Sequence, residues 1–229
     1  MRIRQATIPR HLLVALAVAA TCGALTTPAD ACGGGWWPEI EIDYRVQGIA
    51  RAEKDLQKGK YDDAAGAVLR MIPHIQAYKQ ASRDDIVNRA LRVLAVATAR
   101  KDGQLDVKAQ LPHELRATWL GEKAAERDAN LKWTVSALKA VATKKKNDPV
   151  IESELGEAMA KVPAYREEGR KLLEKLAAKD LLTTPEAYAA LAQLRADSGD
   201  KDGRLAALVR CKAMAKNAAI CSSKAHGQS

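Results

Sequence analysis

Phenylalanine is absent from this 229-residue chain, and aromatic residues together make up only 4% of it. A core here cannot rest on large rings and must be built from aliphatic and small side chains. Glycine and proline are sparse, 14 and 8, and fall mostly between periodic runs, which excludes a loop-dominated or collagen-like chain. The four cysteines form no C-x-x-C pair, and His11, His74, His113 and His226 stand isolated, so zinc-type ligand sets are not supported. No H-E-x-x-H, Gly-rich phosphate loop or Ser/His/Asp arrangement occurs. The reading is therefore of a protein that is not an enzyme, with no catalytic residue, metal or cofactor.

Hydrophobic residues nevertheless reach 47%, mostly alanine and leucine spread along the whole length. Alanine has the highest helix propensity and takes little room between helices, so this composition favours closely packed helices. The formal net charge is +9. Arg2, Arg4 and Arg10 against Asp30 place +2 of it in residues 1–31, which leaves +7 for the remainder. These cations are mixed with Asp and Glu, and only Lys144-Lys145-Lys146 forms a run, placed as the end of a helix where cations complement the dipole. A nucleic-acid binder would show a basic stripe with aromatic platforms, and none is present.

The N-terminus has the parts of a secretory signal. Arg2, Arg4 and Arg10 make a positive region, Leu12 to Ala20 an apolar one, and Ala29-Asp30-Ala31 a small-x-small cleavage site. The apolar run is too short for a transmembrane helix, and no later stretch qualifies, so no integral membrane span is expected. Residues 1–31 are read as a cleavable signal peptide and the protein as exported, to the periplasm or the medium. Cys32 follows the cut directly and raises an alternative, an outer-membrane lipoprotein with a lipid anchor on Cys32. Against it, no lipobox abuts the apolar run. Residues 32–43 form a flexible lead containing Trp36-Trp37, the one aromatic pair, which is either a docking patch or a plug over the first helix pair.

Three cysteines remain after the signal, Cys32, Cys211 and Cys221, and export permits disulfides. Cys211 falls in a helical pattern with Leu205, Leu208, Val209 and Ala215, where it reads as a small buried residue. Cys221 lies beyond that helix. A Cys211–Cys221 bridge requires the chain to turn back after about Asn217 and closes only just, so a bridge and a buried free thiol both stay open.

Helix signals begin at Tyr44. The spacing predicts helices over 44–58, 61–72, 83–100, 112–126, from Asn130 onward, and over 150–161, 165–179, 185–197 and 203–216, with no strand. The carboxylates Glu154, Glu157, Glu167 and Glu168 sit in mixed-charge helices and read as solvated face residues. The remainder, 44–217, is taken as one helical domain, and 218–229 as a disordered tail.

The helices echo one another. Leu120-Gly121 and Leu155-Gly156 are 35 residues apart, Leu191-Ala192 follows 36 later, and Gly169-Arg170 and Gly203-Arg204 are 34 apart. The segment AEKDLQKGKYDDAAGAVLRMIP places Ala52, Gly59, Tyr61, Ala64 and Pro73, and the C-terminal unit places Tyr188, Leu191, Ala192, Gly199 and Leu208, where the tetratricopeptide-repeat family has its preferred residues. The chain thus resembles a degenerate member of that family over most of 45–216. It departs from the period over 83–113 and at Glu168 and Arg204, where the family has a small residue. The resemblance implies an all-α fold, a short right-handed stack of antiparallel helix pairs, and a scaffold that binds a partner protein or peptide in the cell envelope. A lipid-anchored envelope assembly factor acylated on Cys32 is the alternative, and a helical cell-wall hydrolase a weaker one.

The exported protein is expected to begin at Cys32 and to carry no lipid. Intact-mass measurement of the exported form checks this, and a diacylglyceryl adduct on Cys32 would assign it to the lipoproteins.

Overall fold

In the computed structural model the described residues are 43–78, 81–107, 111–113 and 124–222. Cys32, Trp36 and Trp37, the signal, nearly all of the lead, and the body of the helix expected over 112–126 lie outside them. Among the described residues the chain is all-α, with no strand. The helices are α1 (Tyr44–Gln57), α2 (Tyr61–Met71), α3 (Asp85–Arg100), α4 (Ala124–Lys144), α5 (Pro149–Ala160), α6 (Arg166–Ala177), α7 (Pro185–Asp197) and α8 (Lys201–Met214). Short 3-10 turns occupy Ile75–Ala77, Pro163–Tyr165 and Ala218–Cys221.

Each odd-numbered helix opens on a side-chain cap. Asp43, Asp84 and Asp148 accept from the backbone N–H two residues on, and Thr184 from the third, at 2.8–3.2 Å. A cap of this kind satisfies an otherwise orphaned N–H and contributes about 1 kcal/mol. Helix ends repeat as well. The N–H groups of Lys60, Gly103, Leu181 and Asp200 reach back to the carbonyls of Asp55, Thr98, Leu176 and Arg195 at 2.8–2.9 Å. The residue before each, Gly59, Asp102, Asp180 and Gly199, has positive φ. This is the Schellman geometry that stops a helix and reverses the chain. Gly59 and Gly199 thereby turn α1 into α2 and α7 into α8 by the same device.

Consecutive helices pack on one another, and the odd helices also pack in succession, α1 on α3, α3 on α5 and α5 on α7. Helices α2, α4 and α6 each pack on the next odd helix. Helix α3 is consequently covered on most of its circumference. Its expected stripe of Leu91, Leu94, Ala95 and Thr98 is buried, and so are Val87, Ala90, Val93, Val96, Ala97 and Ala99. Small residues set the crossings. Gly156 on α5 lies against Leu173, and Gly169 on α6 against Met159 and the Ala160 backbone.

Four expectations are corrected. Asn130 does not start a helix. α4 runs through it, and its side-chain amide donates to the Gly103 carbonyl at 2.8 Å, tying α4 to the end of α3. Leu205 and Val209 do not share the inner face with Cys211. They point outward, whereas Ala207 and Cys211 are buried. The carboxylates Glu154 and Glu157 are not solvated, as shown below. Nor is 218–222 a loose tail: Ala218–Cys221 forms a turn capped by Asn217, and Cys221 is bonded to Cys211 with their Cα atoms 5.8 Å apart. The chain reverses directly after α8, so the bond is made over a short arc.

Gly169→Ala is expected to lower stability despite the better helix former. A Cβ there would stand 2.8 Å from Met159 Cβ, which the α5 backbone holds in place. Overpacking of about 1–3 kcal/mol exceeds the gain of about 1 kcal/mol in helix propensity. A lower midpoint in urea unfolding is the expected result.

Candidate functional site

The seams between the odd-numbered helices carry charge where a helix bundle ordinarily carries leucine. On the first, Arg89 of α3 donates to both oxygens of Glu53 on α1, at 2.9 and 2.6 Å. On the second, Arg92 of α3 makes the same two-pronged contact to Glu154 of α5, both bonds at 2.6 Å. About two turns further along α3, Arg100 reaches Glu157 at 3.2 and 3.3 Å. The same Arg100 guanidinium also spans from α3 to α7, lying 3.7 Å from Glu186 in the first turn of that helix. The flat guanidinium suits this duty because its fork matches a carboxylate edge.

The two α5 carboxylates are almost wholly removed from solvent, 3% exposed at Glu154 and 2% at Glu157. Spacing puts them there. Three residues apart on a helix, they share one face, and that face meets α3. Arg92 and Arg100 are eight residues apart on α3 and reach the same seam. The sequence holds only a partial signal of this. Glu154 has no basic residue three or four positions away, so no partner on its own helix can hold it at the surface. Its actual partner is 62 positions away.

Arg100 is the hub. Its guanidinium stacks 5.9 Å from the Tyr61 ring centre, and the Tyr61 hydroxyl donates to Glu186 at 3.3 Å. One cation thus serves two carboxylates and one aromatic face, drawn from α2, α5 and α7. Burial raises the Glu157 pKa above the ordinary carboxyl value. Arg100 opposes this and the Glu186 charge adds to it. Burial acts against the Arg100 charge, but Glu157 and Glu186 outweigh it and hold the guanidinium protonated. Burial likewise pushes the Tyr61 hydroxyl up. Glu53, which is more open, is held below the usual carboxylate range by the Arg89 hydrogen bonds.

Chemically, the seam braces. Both oxygens of Glu157 face the Arg100 donors beneath the surface, so neither presents to a substrate. Breaking one such buried pair by removing a single partner costs about 3–5 kcal/mol, because it strands the other charge. Beside the seam, Tyr61 borders an open polar hollow of about 460 Å³ with Lys60, Asp62, Lys101 and Asp106. Lys101 pairs with Asp62 at 2.9 Å, and Asp62 also accepts the Asp106 N–H at 2.8 Å.

Tyr188, in the first turn of α7, gathers a similar trio of side chains at a different place in its helix pair. Its hydroxyl donates to Asp180 at 3.3 Å, Arg210 pairs with Asp180, and the Arg210 guanidinium stacks 5.7 Å from the ring. They border a second hollow of about 320 Å³ between α6, α7 and α8.

The other carboxylates singled out in the sequence lie outside the seam. Glu167 is exposed and pairs with Arg170 and Lys171 on its own helix, and Glu168 is exposed and pairs with Lys139 of α4. Among the described residues no helix is long and apolar enough to cross a membrane, and no three metal-ligating side chains gather. No protein-family model, curated protein or solved structure matches the chain.

Glu157→Gln tests the electrostatics. A folded pKa above the unfolded carboxyl value of about 4.5 means that protonation favours the fold. That contribution is full below about pH 4.5 and is lost as pH rises through the folded value. Melts of both proteins between pH 4.5 and pH 7 should show the parent gaining stability relative to the variant on acidification. The opposite slope would mean that Arg100 dominates burial.

Proposed function

We propose that this protein is an exported adaptor, a tetratricopeptide-like right-handed stack of helix pairs that binds a partner protein or peptide in the cell envelope. The observation that carries the reading is the stepwise packing, in which α1, α3 and α5 each pack on the next odd helix while α2, α4 and α6 pack on the odd helix that follows. Repetition of one contact along a chain makes an extended surface, and extended helical surfaces serve recognition. The matching turns at Gly59 and Gly199 support a repeated unit. The small residues at the crossings support close helix pairs.

The signal-like segment 1–31 supports export, and the Cys211–Cys221 bond suits an oxidising compartment. The cell-wall hydrolase is the weaker reading. It needs an acid presented in a cleft, and the two carboxylates most removed from water among the described residues, Glu154 and Glu157, are both committed to arginines.

The test is affinity capture from envelope extract with residues 32–229 as bait, repeated in reverse with the captured protein tagged. A partner retained in near-equal amount in both directions is the expected result. Failure to retain any partner in either direction would remove the adaptor reading.

A further inference from the structure

Helix α8 presents an outward face on which no other described element packs. Leu205 and Val209, one turn apart, are 61% and 66% exposed, more than any other large aliphatic side chain among the described residues. At 3.6 residues per turn, Ala206 and Ala213 stand beside them. At the same spacing Lys201 and Lys212 stand on one flank of this stripe and Arg210 on the other, with Asp202 at its start, and Lys216 follows two residues beyond the helix end. Arg210 is already paired with Asp180, whereas Lys201, Lys212 and Lys216 make no ion pair among the described residues. The face is fixed in place. Ala207 and Cys211 seat the opposite side of α8 in the core, and the Cys211–Cys221 bond pins the following turn against α7 and α8.

An apolar stripe bordered by uncompensated cations defines its own complement. We propose that the outer face of α8 docks an acidic amphipathic helix of a partner protein, laid along α8 with its apolar residues over Leu205 and Val209 and its carboxylates against Lys201, Lys212 and Lys216. This rests on the adaptor reading and gives it a place and a partner chemistry. The 14 residues of α8 offer about 21 Å of length, enough for four turns of a second helix at ordinary packing distance. A second copy of the chain is the poorer occupant, since a two-fold contact would set three unpaired lysines against three. A bilayer is poorer too. Membrane-surface helices sink a broad apolar face with aromatic or leucine-rich content, and α8 offers two outward aliphatic side chains and no aromatic.

The test is photo-crosslinking in the cells that make the protein, with a benzoylphenylalanine at Ala213 of the full chain and peptide mapping of the adduct. The expected adduct is one partner segment with an excess of Asp and Glu and apolar residues at i, i+4 spacing. Leu205→Lys with Val209→Lys should reduce it about tenfold or more, as loss of two apolar anchors implies, and leave the melting temperature unchanged because both side chains are exposed. Adducts only to a second copy, only to lipid or to a segment without acidic excess would overturn the proposal. So would the absence of any adduct, or one that the double variant leaves intact. Affinity capture with the same double variant separates the two readings. A partner still retained in full sinks the α8 site and leaves the adaptor standing, whereas a parent bait that retains nothing sinks the adaptor itself.

Discussion

Arg100 is the residue on which the arrangement of the odd helices depends. It leaves the last turn of α3, meets Glu157 of α5 and Glu186 of α7, and covers the ring of Tyr61 from α2. Four helices are therefore referenced to one guanidinium. Hydrophobic contact is tolerant of sliding, but a planar fork set against carboxylate edges is not, so the pairs at Arg92 and Arg100 fix the register of α3 on α5. Their net contribution to stability is small next to the apolar burial around them, because two desolvated charges recover little more than they lost. Their effect falls on geometry, and on the penalty for any arrangement that leaves Glu154 or Glu157 buried alone.

Around this seam the architecture is assembled from local devices used repeatedly. Side-chain caps open the odd helices, and the same reach-back hydrogen bond closes α1, α3, α6 and α7. Small residues then bring α5 and α6 close enough for Leu173 to lie over Gly156. With no phenylalanine to fill space, the separation between helices has to be short, and alanine and glycine make it short. The low aromatic content and the tight crossings are one fact seen at two levels.

The charge balance divides the same way. Several of the chain's Arg and Glu side chains are taken up between helices, half-buried at Glu53–Arg89 and with the carboxylate buried at Arg92–Glu154 and Arg100–Glu157. What faces solvent on α8 is a lysine-flanked strip with two aliphatic side chains. Net charge alone says nothing about that partition, since a buried pair and a free lysine enter the sum alike.

The sequence by itself determined the helices. Apolar spacing, Asp84, Asp148 and Thr184 as caps, and Gly59 and Gly199 as stops act within a few residues, so seven of the eight described helices fall within two or three residues of their expected bounds. The exception, α4, starts earlier than Asn130, because that side chain finds its acceptor on Gly103 and does not cap its own helix. Tertiary structure decided which faces of α5 and α8 are inner. Glu154 and Glu157 look like surface residues until Arg92 and Arg100 arrive from about sixty positions away, and Leu205 and Val209 look like core until α7 takes the Ala207 and Cys211 side of α8. Helix periodicity records that a helix has two faces, but burial is a property of the neighbour, and neighbours are chosen by contacts distant in the chain.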